Sequence, residues 1–217
     1  MNDMLRDLLV QGTLETLGMV VPSALVAQLL GTLLGVLLVI TRPGHLKPNA
    51  PLHRVLGLVM NVGRSLPFII LLVVLIPFTR LVTGTSIGST AAIVPLTVAA
   101  IPFVARLVES ALLEVPNGVL EAVRVMGARN GQIIFKVLLP EARSALVLGF
   151  TVMTISLVGY SAMAGAIGGG GLGDLAIRYG YQRFETTVMI ATVVILVVLV
   201  QALQLLGDFV ARKLDHR

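Results

Sequence analysis

Long apolar stretches alternate with short polar segments along this chain. Each of five stretches holds enough residues for a helix to cross the hydrocarbon core of a bilayer, which takes about 20 residues. We predict transmembrane helices, named spans 1 to 5, over residues 17–40, 55–78, 90–115, 145–166 and 186–206. Because a backbone in lipid must satisfy its own hydrogen bonds, the pattern predicts an all-α, polytopic membrane protein that forms one domain over residues 1–217.

The composition excludes a soluble domain. Hydrophobic residues make up 56% of the 217 residues and charged residues only 12%, so apolar side chains would cover any water-exposed surface. The chain has no cysteine, which removes disulfides and thiolate metal sites. Its net charge of +5 resides mostly in polar segments next to the spans, which indicates membrane topology rather than nucleic-acid binding.

The distribution of basic residues predicts the orientation of the five spans. The segments after spans 1 and 3 carry Arg42, Lys47, Arg54, Arg124, Arg129, Lys136 and Arg143, and the tail carries Arg212, Lys213 and Arg217. The opposite side carries Arg6, Arg80, Arg178 and Arg183. Since Lys and Arg concentrate on the cytoplasmic side, we predict an external N-terminus and an internal C-terminus.

Small residues and prolines within the spans predict close packing between helices. Gly31 and Gly35 form a GxxxG pair in span 1, a spacing that lets another helix approach closely but that also arises by chance in a glycine-rich span. Pro95 and Pro102 leave carbonyls of span 3 without an intrahelical donor. Because lipid supplies no donor, we expect span 3 to face protein.

The longest polar interruption, residues 116–140, separates spans 3 and 4. The spacing predicts a short helix over Asn117–Met126 that ends at Gly127, since glycine past a helix end adopts the left-handed conformation without a Cβ penalty. A second short helix is expected around Gln132–Leu138, with Asn130 as its N-cap. Pro140 can then open span 4 as its first helical residue. The segment is therefore a helix-turn-helix knob outside the membrane.

This knob resembles the signature loop of ABC importer permeases, which reads EAA, three residues, Gly, nine residues, Ile-x-Leu-Pro. Five positions match in identity and spacing: Glu121, Ala122, Gly127, Leu139 and Pro140. Conservative departures are Val123 for the second alanine and Val137 for the isoleucine, and Arg129-Asn130 stands where many members have Ser/Thr-Pro. The resemblance implies a type I ABC importer permease fold whose loop docks on a separate ATPase subunit through those five residues, Arg124 and Met126.

Further stretches are similar to the permease subunit of methionine ABC importers. They are RSLPF at residues 64–68, GTSIG at 84–88, AAIVPLT at 91–97, VGYSAM at 158–163 and GGLG before span 5. The resemblance implies import of methionine, both enantiomers and close derivatives, across the bacterial inner membrane. It also implies a homodimer of this permease, two ATP-binding subunits and an extracytoplasmic methionine-binding protein or lipoprotein, all within membrane lipid.

The chain itself carries no recognisable catalytic chemistry. It has no GxxxxGK[ST] motif to hold ATP phosphates, and no Ser/His/Asp or paired-carboxylate arrangement stands out. We therefore expect a non-catalytic subunit, with ATP and magnesium bound by its partner. His45 and His53 share one loop, but no third ligand lies nearby in sequence, so we expect no metal site.

The end of span 4 and the glycine-rich stretch after it offer candidates for the solute path. Residues 165–173 are compatible with a flexible outer loop. Alternatively, this stretch and Tyr160, Ser161 and Met163 border the path near an outer gate, where small residues permit the close helix packing that opens and shuts.

Three charged residues lie within predicted spans. Arg64 and Arg106 are each nine residues from the cytoplasmic end of their span, which places both about 13 Å deep, and Glu109 follows Arg106 by one turn. An unpaired arginine at mid-span costs about 2.5–3.5 kcal/mol. We therefore predict a cluster in which Glu109 pairs with both arginines, against an alternative in which Arg106 extends to the interface.

Two other classes of transporter, and another solute, are alternatives at this point. A secondary transporter normally shows two repeated halves and buried mid-membrane carboxylates, and five spans do not divide into equal halves. A passive channel needs no coupling loop. An ABC importer permease for another small amino acid or polar solute would carry the same loop.

Overall fold

A computed structural model of the chain describes residues 3–215, so the part of the predicted basic tail at Arg217 lies outside the described residues. Within this range the regular elements are helices. In chain order they are α1 (Asp3–Thr41), α2 (Ala50–Ser65), α3 (Phe68–Val74), α4 (Ile76–Thr83), α5 (Ser89–Leu113), α6 (Asn117–Val125), α7 (Asn130–Ile133), α8 (Leu139–Glu141), α9 (Arg143–Ala164), α10 (Gly171–Leu175) and α11 (Thr186–Leu214). π-Helical segments occupy Ile134–Leu138, Gly165–Gly169 and Ala176–Tyr181.

Four helical segments of the described chain are long and apolar enough to cross a bilayer: α1, α5, α11 and Arg143–Gly169. A fifth crossing is present if α2 and α3 are counted as one span, although the chain bends by 104° between them. The prediction of an all-α chain is confirmed, with four or five candidate spans.

Span 2 differs from the single helix expected over residues 55–78. Leu66 is extended (φ −80°, ψ 127°) because the ring of Pro67 disfavours the helical conformation of the residue before it. A second break follows at Leu75, where α4 begins with Pro77 in its first turn. Pro67 and Pro77 together divide the predicted span into three short helices.

Among the described residues, α1 and α5 make the most extensive contact between two helices, and glycines make this contact possible. A Cβ on Gly31 would lie 2.5 Å from Val104 Cβ, and one on Gly35 would lie 2.6 Å from Val108 Cβ and 2.7 Å from the Ala105 carbonyl. Such distances leave no room for a side chain. The close approach expected from the GxxxG pair is therefore confirmed, with α5 as the approaching helix.

Helix α5 is the centre of the bundle, as its prolines predicted. Pro95 and Pro102 are both buried, and Pro102 lies against the Gly63 position of α2, where a Cβ would meet its ring at 2.9 Å. Ser23 of α1 donates to the Ile93 carbonyl at 3.2 Å. The proline-bearing helix thus faces protein on both sides, where neighbouring groups can compensate its backbone.

The glycine-rich stretch is folded onto α1 rather than forming an open loop. The Glu15 carboxylate accepts a hydrogen bond from the Gly171 N–H at 2.8 Å, and Thr16 Oγ1 accepts one from the Leu172 N–H at 2.9 Å. Gly170 and Gly171 adopt φ of 75° and 77° beneath these side chains, where a Cβ would collide with Glu15 or Thr16. The expectation of a flexible loop at residues 165–173 is therefore wrong.

Candidate coupling surface

The turn at Gly127 has the predicted geometry. Helix α6 ends at Val125, and Gly127 follows with φ of 81°. The Gly127 N–H donates to the Arg124 carbonyl at 2.9 Å, and the Ala128 N–H donates to the Val123 carbonyl at 3.2 Å, so the last carbonyls of the helix are satisfied. Apart from its chain neighbours, no atom of the described residues lies within 4 Å of a Cβ built on Gly127. Glycine is therefore required here by backbone conformation rather than by space.

The second short helix begins one residue earlier than its predicted cap allows. Arg129 occupies the N-cap position with extended backbone (φ −72°, ψ 152°), and Asn130 is already the first helical residue. The Arg129 N–H donates to Gln132 Oε1 at 2.8 Å, which is the side-chain-to-backbone half of a capping box. The prediction of Asn130 as N-cap is wrong; its side chain instead donates to the Leu46 carbonyl at 3.4 Å.

The passage into span 4 is also more irregular than predicted. Residues 134–138 form a π-helical segment, and Pro140 belongs to the separate short helix α8. Helix α9 starts only at Arg143. Pro140 is therefore the helical residue it was expected to be, but it does not begin the span.

Two faces of α6 have different environments. Asn117, Leu120, Glu121 and Arg124 recur at helical spacing and line a cavity of about 600 Å³, named here the α6 pocket, between α6 and the loop after α1. Val125 and Met126, at the end of the helix, are 88% and 76% exposed. Adjacent exposed apolar side chains of this kind are typical of a surface that a partner covers.

The predicted coupling residues divide between the surface and the interior. Glu121, Ala122, Arg124, Met126, Gly127 and Pro140 are exposed, whereas Leu139 is half-buried and packs against the core. Phe135, which the sequence analysis did not select, is 71% exposed. The sequence feature that could have identified Phe135 is its place as an aromatic residue between Ile133 and Leu138, which are both fully buried.

The predicted charge cluster is only partly present. Arg106 pairs with Glu109 at 2.6 Å and donates to the Gly57 carbonyl at 2.8 Å and to Asn61 Oδ1 at 2.9 Å. Glu109 is 8% exposed. This network, rather than an extended arginine at the interface, joins α5 to α2, and Asn61 is a partner that the sequence analysis missed.

Arg64 does not join that network. Its guanidinium lies 5.7 Å from the ring centre of Phe103, and Glu109 is six residues further along α5, or about 9 Å along the helix axis. Equal depth had been inferred from approximate span ends, but the contact of Gly57 with Arg106 shows a different register between the antiparallel helices. The pairing of Arg64 with Glu109 is therefore wrong, and a cation–π contact takes its place.

The three path candidates do not share one surface. Tyr160 stacks on Phe68 of α3, with ring centres 4.8 Å apart and planes 8° apart. Ser161 is buried, and its hydroxyl donates to the Val158 carbonyl of its own helix at 2.8 Å. Met163 is 48% exposed. Tyr160 thus connects α9 to the broken span 2, and Met163 faces away from the core of the chain.

Comparison with known proteins places this architecture in a family. Residues 27–217 match the family described as binding-protein-dependent transport system inner membrane component. The chain is 56% identical over 211 residues to the probable D-methionine transport system permease protein MetI of Vibrio cholerae, which covers 97% of this chain and 94% of that protein. It is 49% identical to the corresponding protein of Pasteurella multocida over the full length of both.

Solved structures agree over the whole chain. A chain from an inward-facing crystal form of the MetNI methionine ABC transporter superimposes with a TM-score of 0.98, 52% identity and complete coverage of both chains. An amino acid ABC transporter crystallised with histidines superimposes with a TM-score of 0.79 at 20% identity, a likeness of fold alone. This chain therefore belongs to the family of binding-protein-dependent transport system inner membrane components.

Proposed function

We propose that this chain is the membrane-spanning permease subunit of an ATP-driven methionine importer in the bacterial plasma membrane. The observation that carries the proposal is the full-length superposition on a chain of the MetNI transporter at 52% identity. The relatives in Vibrio cholerae and Pasteurella multocida are named for D-methionine transport. The chain forms the path for methionine, including its D-enantiomer, and performs no catalysis itself.

The proposed assembly contains two copies of this permease, two ATP-binding subunits and an extracytoplasmic methionine-binding protein. ATP and magnesium belong to the ATP-binding subunits. Coupling requires a rigid element that a partner can push, and the segment 116–140 has that character because Leu120, Ile133 and Leu138 anchor it to the core. Its exposed Val125, Met126 and Phe135 are the apolar contacts that the ATPase would cover.

A displacement of the knob can reach the spans through two direct connections. The Arg143 Nε–H donates to the Leu214 carbonyl at 3.0 Å, and the Ser144 hydroxyl donates to the Ala211 carbonyl at 3.1 Å. These bonds tie the start of α9, directly after the knob, to the end of α11. Nucleotide-driven closure of the ATPases would then bias two arrangements of the spans by moving this junction.

The solute path itself is proposed along the α3–α9 contact. The Phe68–Tyr160 stack and exposed Met163 lie on elements that border the break in span 2. Aromatic faces and thioethers interact favourably with a methionine side chain. Ser161, which is buried and bonded to its own helix, would support this wall rather than line it.

Transport assays discriminate this function from its alternatives. Vesicles that contain the permease, its ATPase and the binding protein should accumulate labelled methionine only when ATP reaches the ATPase. Labelled histidine, offered in the same way, serves as the control solute. ATP-independent uptake that follows an imposed ion gradient would contradict the importer, and equal uptake of histidine would contradict methionine as the solute. Family membership does not favour a secondary transporter, and the names of the relatives do not favour another solute.

We also propose that the N-terminus is external and the knob cytoplasmic, as the basic residues indicate. The absence of cysteine from the sequence permits a direct test. Thr85→Cys and Gln182→Cys, at exposed positions, should react with a membrane-impermeant maleimide on cells whose plasma membrane is intact. Lys136→Cys should react only after lysis. Labelling of Lys136→Cys in intact cells would reverse the proposed orientation.

A further inference from the structure

The α6 pocket contains positive charge that the described residues do not neutralise. Arg42 lines it from the loop after α1, and Arg124 lines it from α6. Neither guanidinium forms an ion pair or a hydrogen bond within residues 3–215. Glu121 is the carboxylate on the same lining, and it pairs with neither arginine. Two unpaired arginines around one cavity form an arrangement that favours an anionic ligand.

His45 adds a polar group with no partner in the same pocket. Its Nδ1 atom is buried and has no hydrogen-bond partner among residues 3–215. Burial lowers the pKa of the imidazole, and the charges of Arg42 and Arg124 lower it further. The ring is therefore neutral at pH 7, so the arginines supply the charge of the pocket. A buried unpaired nitrogen is costly unless a ligand or water satisfies it.

The pocket lies where two spans leave the membrane. Arg42 directly follows the end of α1, and the opposite wall includes Leu112 and Leu113 at the end of α5. This is the depth at which lipid phosphates meet the ends of transmembrane helices. The apolar wall would suit the first carbons of an acyl chain. Of the predicted coupling residues, Glu121 and Arg124 line this pocket, whereas Met126 and the neighbouring exposed Val125 do not.

We propose that the α6 pocket binds a phosphate group, supplied by the headgroup of an anionic phospholipid, through the guanidinium groups of Arg42 and Arg124, beside His45. The lipid would link the loop after α1 to the coupling helix. Anionic lipid in the surrounding leaflet would thus set the stability of the knob on which the ATPase acts.

The test uses the complete permease–ATPase complex and native mass spectrometry. The complex is titrated with phosphatidylglycerol or with zwitterionic phosphatidylcholine of the same chain length. Arg42→Gln should weaken the tightest phosphatidylglycerol binding about fivefold, because each basic residue contributes about 1 kcal/mol to anionic lipid binding. Lys47→Gln, which removes an exposed charge from the same loop outside the pocket lining, should change it little. Arg42→Lys should retain most of the binding because it keeps the positive charge, and an intact permease–ATPase complex of Arg42→Gln in the same spectra would exclude a loss of fold.

Competition with inorganic phosphate identifies the source of the ligand. If phosphatidylglycerol stays bound in millimolar phosphate, the ligand is the lipid headgroup. If phosphate displaces the lipid and binds in its place, the ligand of the same pocket is free phosphate. Equal losses in Arg42→Gln and Lys47→Gln, or no preference for phosphatidylglycerol over phosphatidylcholine, would overturn the proposal. Dissociation of the ATPase from Arg42→Gln in phosphatidylcholine alone would also overturn it, by assigning Arg42 to the subunit interface.

Discussion

Replacement of Gly35 by alanine should destabilise the folded chain, whereas the same replacement at Gly18 of the same helix should not. A methyl group on Gly35 would lie 2.6 Å from Val108 Cβ and 2.7 Å from the Ala105 carbonyl oxygen. The carbonyl belongs to the backbone of α5 and cannot rotate away, so the two helices must separate. Overpacking of this kind costs about 1–3 kcal/mol, and the shift would also weaken the neighbouring contact of Gly31 with Val104.

Gly18→Ala is a control for which we expect no loss of stability, or a small gain. A Cβ on Gly18 meets no atom within 4 Å, and alanine is favoured over glycine inside a helix by about 1 kcal/mol. Thermal aggregation of the detergent-solubilised variants, followed by size-exclusion chromatography, should rank Gly18→Ala at or above the natural chain and Gly35→Ala well below both. Equal melting of the two variants would mean that α1 and α5 do not pack as closely as the structure shows.

The contrast between these glycines illustrates which features the sequence could predict. GxxxG spacing marks residues that can be approached, and Gly31 and Gly35 were identified on that basis. The identity of the approaching helix is a property of tertiary packing. Gly18 and Gly35 are both helical glycines in an apolar stretch, and only Gly35 belongs to a GxxxG pair. The structure shows which backbone lies against Gly35.

Local backbone chemistry was predicted more reliably than relations between helices. The positive φ of Gly127 and the central position of α5 both follow from the stereochemistry of single residues. Arg64 was misplaced because its depth was counted from approximate span ends. It lies at the level of Phe103 rather than Arg106, a register error of three residues, or about one turn, which takes it away from Glu109. The break of span 2 was missed although Pro67 and Pro77 marked it, because hydropathy alone does not distinguish a bent span from a straight one.

Two further misses concern groups whose partners are distant in the chain. Glu15 and Thr16 bind the Gly171 and Leu172 N–H groups across more than 150 positions, so no local pattern could reveal that the glycine-rich stretch is ordered. Asn61 was likewise an isolated polar residue until the position of Arg106 was known. The sequence can predict that such a polar residue, if buried, needs a hydrogen-bond partner. Only the tertiary structure identifies that partner.

Replacement of Gly127 by valine should uncouple the importer while leaving the spans folded. Valine at φ of 81° is strained by about 1–3 kcal/mol, and relief of that strain would change the angle between α6 and α7. A strain of about 1.4 kcal/mol reduces the population of the native turn tenfold relative to alternatives. We therefore expect weaker co-purification of the ATPase and a loss of ATP-driven methionine uptake of about tenfold.

Gly118→Val is the matched control, because it places the same side chain on the same knob. Gly118 is an exposed residue of α6 with no positive φ, and a Cβ built there meets no atom of residues 3–215 within 4 Å apart from its chain neighbours and the backbone of its own helix. Valine there therefore lacks the backbone strain expected at Gly127. Both variants should keep the thermal stability of the spans, since neither glycine touches the membrane core. If Gly127→Val binds the ATPase and imports methionine as well as Gly118→Val does, the conformation of this turn does not transmit the force of ATP binding, and coupling must pass through another part of the chain.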